Sequence, residues 1–136
     1  MPTAHSRGLL DTSVVIGFDF LDVGMLPDES AVSAITIAEL SSGPSAATTQ
    51  AEQSARQDRL QRVEAGFDAL PFDARAARAF GRIAPVLRSS GRKPRGANMA
   101  DYLIVATALA HDLPLYTLDS DDISPLGGLI EIVAIG

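Results

Sequence analysis

The chain has 136 residues, of which 46% are hydrophobic and 21% charged, and it carries a net charge of −6 with no cysteine. That length supports one self-sufficient core, so a single soluble domain over residues 1–136 is expected. The missing cysteines exclude a disulfide framework, a zinc–thiolate centre and a thiol nucleophile; no apolar run approaches the roughly 18 residues of a membrane helix; and Met1 to Arg7 lacks a signal-peptide core, so a cytoplasmic location is expected.

Charge is distributed in three blocks. Residues 1–55, 56–95 and 96–136 carry −6, +6 and −6 in turn. A basic middle between acidic flanks suits a phosphate-contacting surface beside metal-binding carboxylates, and it equally suits a solvated helical exterior.

Gly8-Leu9-Leu10 reads as a short buried strand ending at Asp11, after which Thr12-Ser13 opens an apolar helical run from Val14 to Phe18. Asp11 is thus a helix cap or a ligand at a strand end. Ala31 to Ile35 reads as a second strand. In the helix after it Thr36 and Glu39 have capping-box spacing, and Gly43-Pro44 should end that helix. A polar loop or loose turn is expected from Ser41 to Gln50.

Residues 51–65 form an amphipathic helix with Arg56, Arg59 and Arg62 on its basic side. A strand over Phe67 to Leu70 closes at Pro71, and Asp73 caps a helix to about Arg88 that Pro85 should kink. Ser89 to Ala97 is a basic, glycine-rich loop whose Arg92, Lys93 and Arg95 suit phosphate contacts or an ordinary surface turn. Met99 to Ala110 follows, a helix apolar on every side with one charge, Asp101, in its first turn. Asn98 as N-cap with Asp101 at N3 would close a capping box; otherwise a carboxylate rising from an apolar helical face needs a base or a metal. Strands from Leu113 to Thr117 and from Leu129 to Ile135 finish the chain, with Asp119, Asp121 and Asp122 between them.

This alternation implies an α/β, three-layer α/β/α sandwich around a central, mostly parallel sheet. Ligands of such sheets bind at the strand carboxyl ends, where Asp11, Glu39, Asp101 and Asp119 would meet. Clustered carboxylates raise one another's pKa unless cations hold them, and an all-oxygen donor set suits Mg²⁺ or Mn²⁺ and metal-assisted phosphodiester hydrolysis. His5 and His111 give little support to a Ser-His-Asp triad.

Leu9-Leu10-Asp11-Thr12-Ser13, Ile37-Ala38-Glu39-Leu40, Asp101 to Ala108 and Leu115-Tyr116-Thr117-Leu118-Asp119 resemble, in order, the motifs of PIN-domain ribonucleases, and within them the VapC-type toxins of toxin–antitoxin pairs. The resemblance implies a PIN-like fold, usually a homodimer, and Mg²⁺- or Mn²⁺-dependent endonucleolytic cleavage of RNA silenced by a cognate VapB-type antitoxin. It places Asp11, Glu39, Asp101 and Asp119 at the acidic catalytic and metal-binding positions, with Asp121 and Asp122 competing for the fourth. Ser13 and Thr117 match hydroxyls near that site. Leu118 departs from the basic residue that many relatives carry there. Arg92, Lys93 and Arg95 are the candidate substrate contacts.

Two other classes compete. A non-catalytic α/β interaction module would use the acids as caps and surface charge and bind no Mn²⁺. A Mg²⁺-dependent phosphotransfer or phosphohydrolase domain would want a lysine after a late strand or an aspartate where Ser13 stands; the chain's one lysine, Lys93, is in the wrong setting.

Overall fold

The computed structural model describes residues 5–135. Its five strands are β1 (Arg7–Leu10), β2 (Glu29–Ser33), β3 (Asp68–Leu70), β4 (Leu115–Thr117) and β5 (Ile132–Ala134). They form one sheet in the order β3-β2-β1-β4-β5, and every neighbouring pair is parallel. Five helices connect or flank them: α1 (Thr12–Ile16), α2 (Ala34–Ala46), α3 (Gln50–Gly66), α4 (Ala74–Ser89) and α5 (Met99–Ala110).

The period of two along each strand explains the layering. Leu9, Ala31 and Leu115 point into one core with Ile83, Leu87, Ile104 and Val105 from α4 and α5. Their neighbours Leu10, Val32 and Tyr116 point into the other, against Val14, Leu40, Leu60 and Val63. Both faces of the central strands are covered, which is why they read as unbroken apolar runs. Each fully buried Leu or Ile among these contributes about 2 kcal/mol. As its all-round apolar sequence predicts, α5 is buried from Tyr102 to Ala108 except at Leu103.

The chain leaves β1 for β2 and β3 on one side, then returns to place β4 on the other. The sheet order therefore reverses between β1 and β4, which opens a crevice at their carboxyl ends. Asp11 follows β1 and Asp119 follows β4.

Two expectations about helix limits are corrected. Ile35 lies in α2 rather than in the strand, because the hydroxyl of Ser33 accepts from the Ile35 amide at 3.1 Å and caps the helix earlier than Thr36 would. Glu39 is therefore well inside α2 and closes no capping box. Gly43-Pro44 does not stop the helix, which runs to Ala46, so most of the expected loop before Gln50 is helical. As expected, α4 runs through Pro85, ending at Ser89; proline removes one hydrogen bond there, but the apolar side with Ile83, Ala84 and Leu87 is buried and holds the helix together.

Candidate active site

Asp11 is 7% exposed and sits where β1 turns into α1. Its Oδ1 accepts from the Val14 amide at 3.2 Å, so it does cap α1, and it also accepts the Ser13 hydroxyl at 2.5 Å. Ser13 Oγ in turn accepts the Leu118 amide at 3.1 Å, joining the end of β1 to the segment after β4. On that segment the buried Thr117 hydroxyl accepts the Asp119 amide at 2.9 Å and fixes the backbone from which the Asp119 side chain leaves. Both hydroxyls singled out by sequence thus hold acid-bearing backbone in place.

Glu39 is held from across the cleft. Thr12 Oγ1 donates to Glu39 Oε1 at 2.6 Å, and Thr36 Oγ1 lies 3.0 Å from Thr12 Oγ1. Thr12 has a single proton, given to the carboxylate, so the fully buried Thr36 is the donor to Thr12. Neither threonine was a sequence candidate. Their neighbours carried the acid motifs, but nothing in spacing alone joins Thr12 to Glu39.

Asp101 is the acid without a local explanation. Asn98 occupies the N-cap position of α5 yet makes no side-chain cap bond, and among the described residues the Asp101 carboxylate accepts no hydrogen bond. Of the two alternatives the sequence left open for Asp101, the capping box is absent among the described residues. Burial raises the Asp101 pKa first, and the charges of Glu39, Asp11, Asp122 and Asp119 add to it in that order, bringing it to about 6. All four candidate acids therefore share one electrostatic neighbourhood. Asp122 joins them, since its charge also raises the Asp101 pKa.

The donor set fits a hard divalent cation by its chemistry: carboxylate oxygens in mutual repulsion, with His5 engaged by Glu131 and His111 at the far end of α5. Among the described residues, however, no three acidic or histidine side chains stand together as a finished ligand cluster. Asp11 and Glu39 are turned to their hydroxyl donors.

The basic loop before α5 turns at Gly91 and Gly96, whose φ of 80° and 88° only glycine adopts without strain. Arg92 donates to the carbonyls of Asp122 at 2.7 Å and Asp121 at 2.9 Å, so its guanidinium braces the acidic turn. Lys93 and Arg95 are exposed and line a basic cleft of about 420 Å³ with Arg88 and Arg92.

A family model described as the PIN domain matches residues 9–126, from β1 through the turn beyond Asp119. The chain is also 37% identical over 140 aligned positions to Ribonuclease VapC5 of Mycobacterium tuberculosis, covering 99% of this chain and all of that protein. The chain belongs to the VapC-type PIN-domain family. Its fold agrees with that of solved VapBC structures. The crystal structure of VapBC-5, a toxin–antitoxin member from M. tuberculosis, superposes with a TM-score of 0.84 at 38% identity, covering 96% of this chain and 99% of that one. VapBC2 from Rickettsia felis, solved bound to a promoter DNA fragment, gives 0.72 at 21% identity over 91% and 96% of the two chains, which supports the fold alone. The matched PIN-domain segment contains Asp11, Glu39, Asp101, Asp119 and Asp122, and so spans the whole acidic neighbourhood.

Proposed function

We propose that this PIN-domain protein is an endoribonuclease that uses Mg²⁺ or Mn²⁺, the toxin of a toxin–antitoxin pair, held inactive by a VapB-type antitoxin. The observation that carries the reading is Asp101, a half-buried carboxylate with no hydrogen-bond donor among the described residues, set in the field of Glu39, Asp11, Asp122 and Asp119. Such a group calls for a cation.

Asp11, Asp101 and Asp119 would hold the ion, with Glu39 completing the set and Asp122 adding charge. When bound, the ion supplies charge neutralisation at the phosphodiester and Lewis acidity for its hydrolysis. The chain's own residues prepare the site. The donor series from Thr36 through Thr12 fixes Glu39, Ser13 ties Asp11 to the segment after β4, and Thr117 sets the Asp119 backbone. Holding acids in place before the ion arrives is the usual task of such outer partners. Lys93 and Arg95 would meet backbone phosphates, which carry affinity and little sequence choice.

Relatives solved as VapBC assemblies support a protein partner. Val15, Phe18, Val63 and Phe67 line a groove of about 490 Å³ together with Asp19, Arg59 and Arg62, and Phe20, 92% exposed, is also in its lining. An antitoxin segment would cover that apolar surface. Self-pairing into a homodimer and a cytoplasmic setting belong to the same reading. No helix of the described residues is long and apolar enough to cross a membrane.

The test is cleavage of single-stranded RNA by purified protein with and without Mn²⁺. Cleavage should need the ion and should fall at least about 100-fold in Asp11→Asn and Asp101→Asn. Undiminished cleavage by both variants would remove the acids from the catalytic role.

A further inference from the structure

Three arginines lie on one side of α3, at spacings of three residues: Arg56, Arg59 and Arg62. The outer two are engaged. Arg56 donates to the Gly43 carbonyl at 2.9 Å and lies 4.0 Å from Glu52. Arg62 lies 3.5 Å from Asp19. Arg59, between them, is half-buried and has no hydrogen-bond or ion-pair partner among the described residues. A guanidinium partly withdrawn from water is costly to leave without an anion.

Arg59 lines a cleft of about 370 Å³ together with Thr12, Ile16, Glu39, Leu40 and Arg56. It thus shares a wall with Glu39 and with the threonine that holds Glu39, yet is not paired with that carboxylate. The Lys93 and Arg95 cations stand on the loop joining α4 to α5, helices that pack on one face of the sheet, whereas α3 packs on the other face. A strand crossing the carboxyl edge past the acids would therefore meet positive charge on both sides.

We infer that the cleft beside Glu39 is an RNA subsite and that Arg59 binds a non-scissile backbone phosphate there. This rests on the ribonuclease reading and deepens it. Arg59 is the free donor and Arg56 and Arg62 are its flanks. A guanidinium offers the planar fork that matches phosphate oxygens.

The experiment uses the purified full chain with Mn²⁺ and a single-stranded oligoribonucleotide carrying a fluorophore and a quencher. Arg59→Gln should raise KM about 10-fold with kcat within about 2-fold, because the contact is made equally in ground and transition states. The slope of log(kcat/KM) against log salt should become shallower by about 0.7, one single-strand phosphate contact. Arg59→Lys should recover part of KM, and Arg62→Gln should change neither quantity. The Arg59→Gln melting temperature should hold or rise, since a partnerless charge is removed.

An unchanged KM and salt slope in Arg59→Gln overturns the subsite. So does a fall of several degrees in melting temperature, which would show a structural role. An effect confined to inhibition by the co-expressed antitoxin would assign the cleft to a protein and likewise overturn it. If the wild-type chain neither cleaves nor binds the oligoribonucleotide, the ribonuclease reading itself fails, a result separable from loss in the variant alone.

Discussion

Thr12 donates its hydroxyl proton to Glu39 at 2.6 Å, and the two residues lie 27 positions apart in the chain. The bond spans the crevice side of two helices and ends on Thr36, which is fully buried. Thr12→Val preserves the branched shape, removes the donor, and strands the Thr36 hydroxyl. The expected cost is about 1–3 kcal/mol in urea unfolding. RNA cleavage should fall about 10–100-fold, the usual loss when the partner of a metal-site carboxylate is removed. Thr12→Ser should restore most of both, and a Thr12→Val enzyme of normal activity would show that Glu39 needs no holding.

Asp101 gives a pH prediction with a definite sign. Its folded pKa, about 6, lies above the ordinary 3.8. Below about 4 the group is protonated in both folded and unfolded chains and costs nothing. As pH rises from about 4 to about 6 the unfolded chain ionises while folding holds the proton on Asp101, so stability is lost across that window and the loss is complete at neutrality. In chelator, Asp101→Asn should therefore be more stable than wild type by about 1 kcal/mol at pH 7, allowing for solvent screening, and equal to it below pH 4. Excess Mn²⁺ should reverse the order, since only the wild type gains binding free energy, about 2.7 kcal/mol at 100 times its Kd. Urea melts at the two pH values and with the ion read all three. An Asp101→Asn chain less stable in chelator at pH 7 contradicts the electrostatic account.

Arg92 braces the turn that carries Asp121 and Asp122, through two backbone carbonyls 29 and 30 residues away. Removing the fork in Arg92→Ala should cost about 1–2 kcal/mol and loosen that turn. Amide hydrogen exchange over residues 119–123 should speed up while the buried α5 amides stay protected, and calorimetric Mn²⁺ affinity should weaken about 10-fold. Arg92→Lys should not rescue it, because an ammonium lacks the planar fork. If exchange in the turn is unchanged and only RNA affinity falls, Arg92 serves phosphate contact instead.

Much of the architecture was legible without coordinates because it depends on near neighbours. Apolar runs of strand length at Leu9-Leu10 and Leu115-Tyr116, and the all-round apolar helix at Met99–Ala110, announce buried elements through local periodicity. Alternating strands and helices then leave little choice but a parallel sheet with acids at one edge. Helix limits were less legible. Ser33 outcompetes Thr36 as a cap, and Pro44 stays inside α2, where the notional stop at Gly43-Pro44 is overridden.

By itself, the order of residues determined the layered α/β plan and the set of acids brought to the strand ends, since both follow from patterns only a few residues long. Only the tertiary structure decided which acid had a local explanation: Asp11 caps a helix, Glu39 and Asp101 do not. It also decided that Thr12 serves Glu39, that Arg92 serves a turn and that Arg59 is left free. The reason is one of range. Hydrogen-bond partners and shared fields act over a few ångströms of space, and the residues that meet here come from segments tens of positions apart.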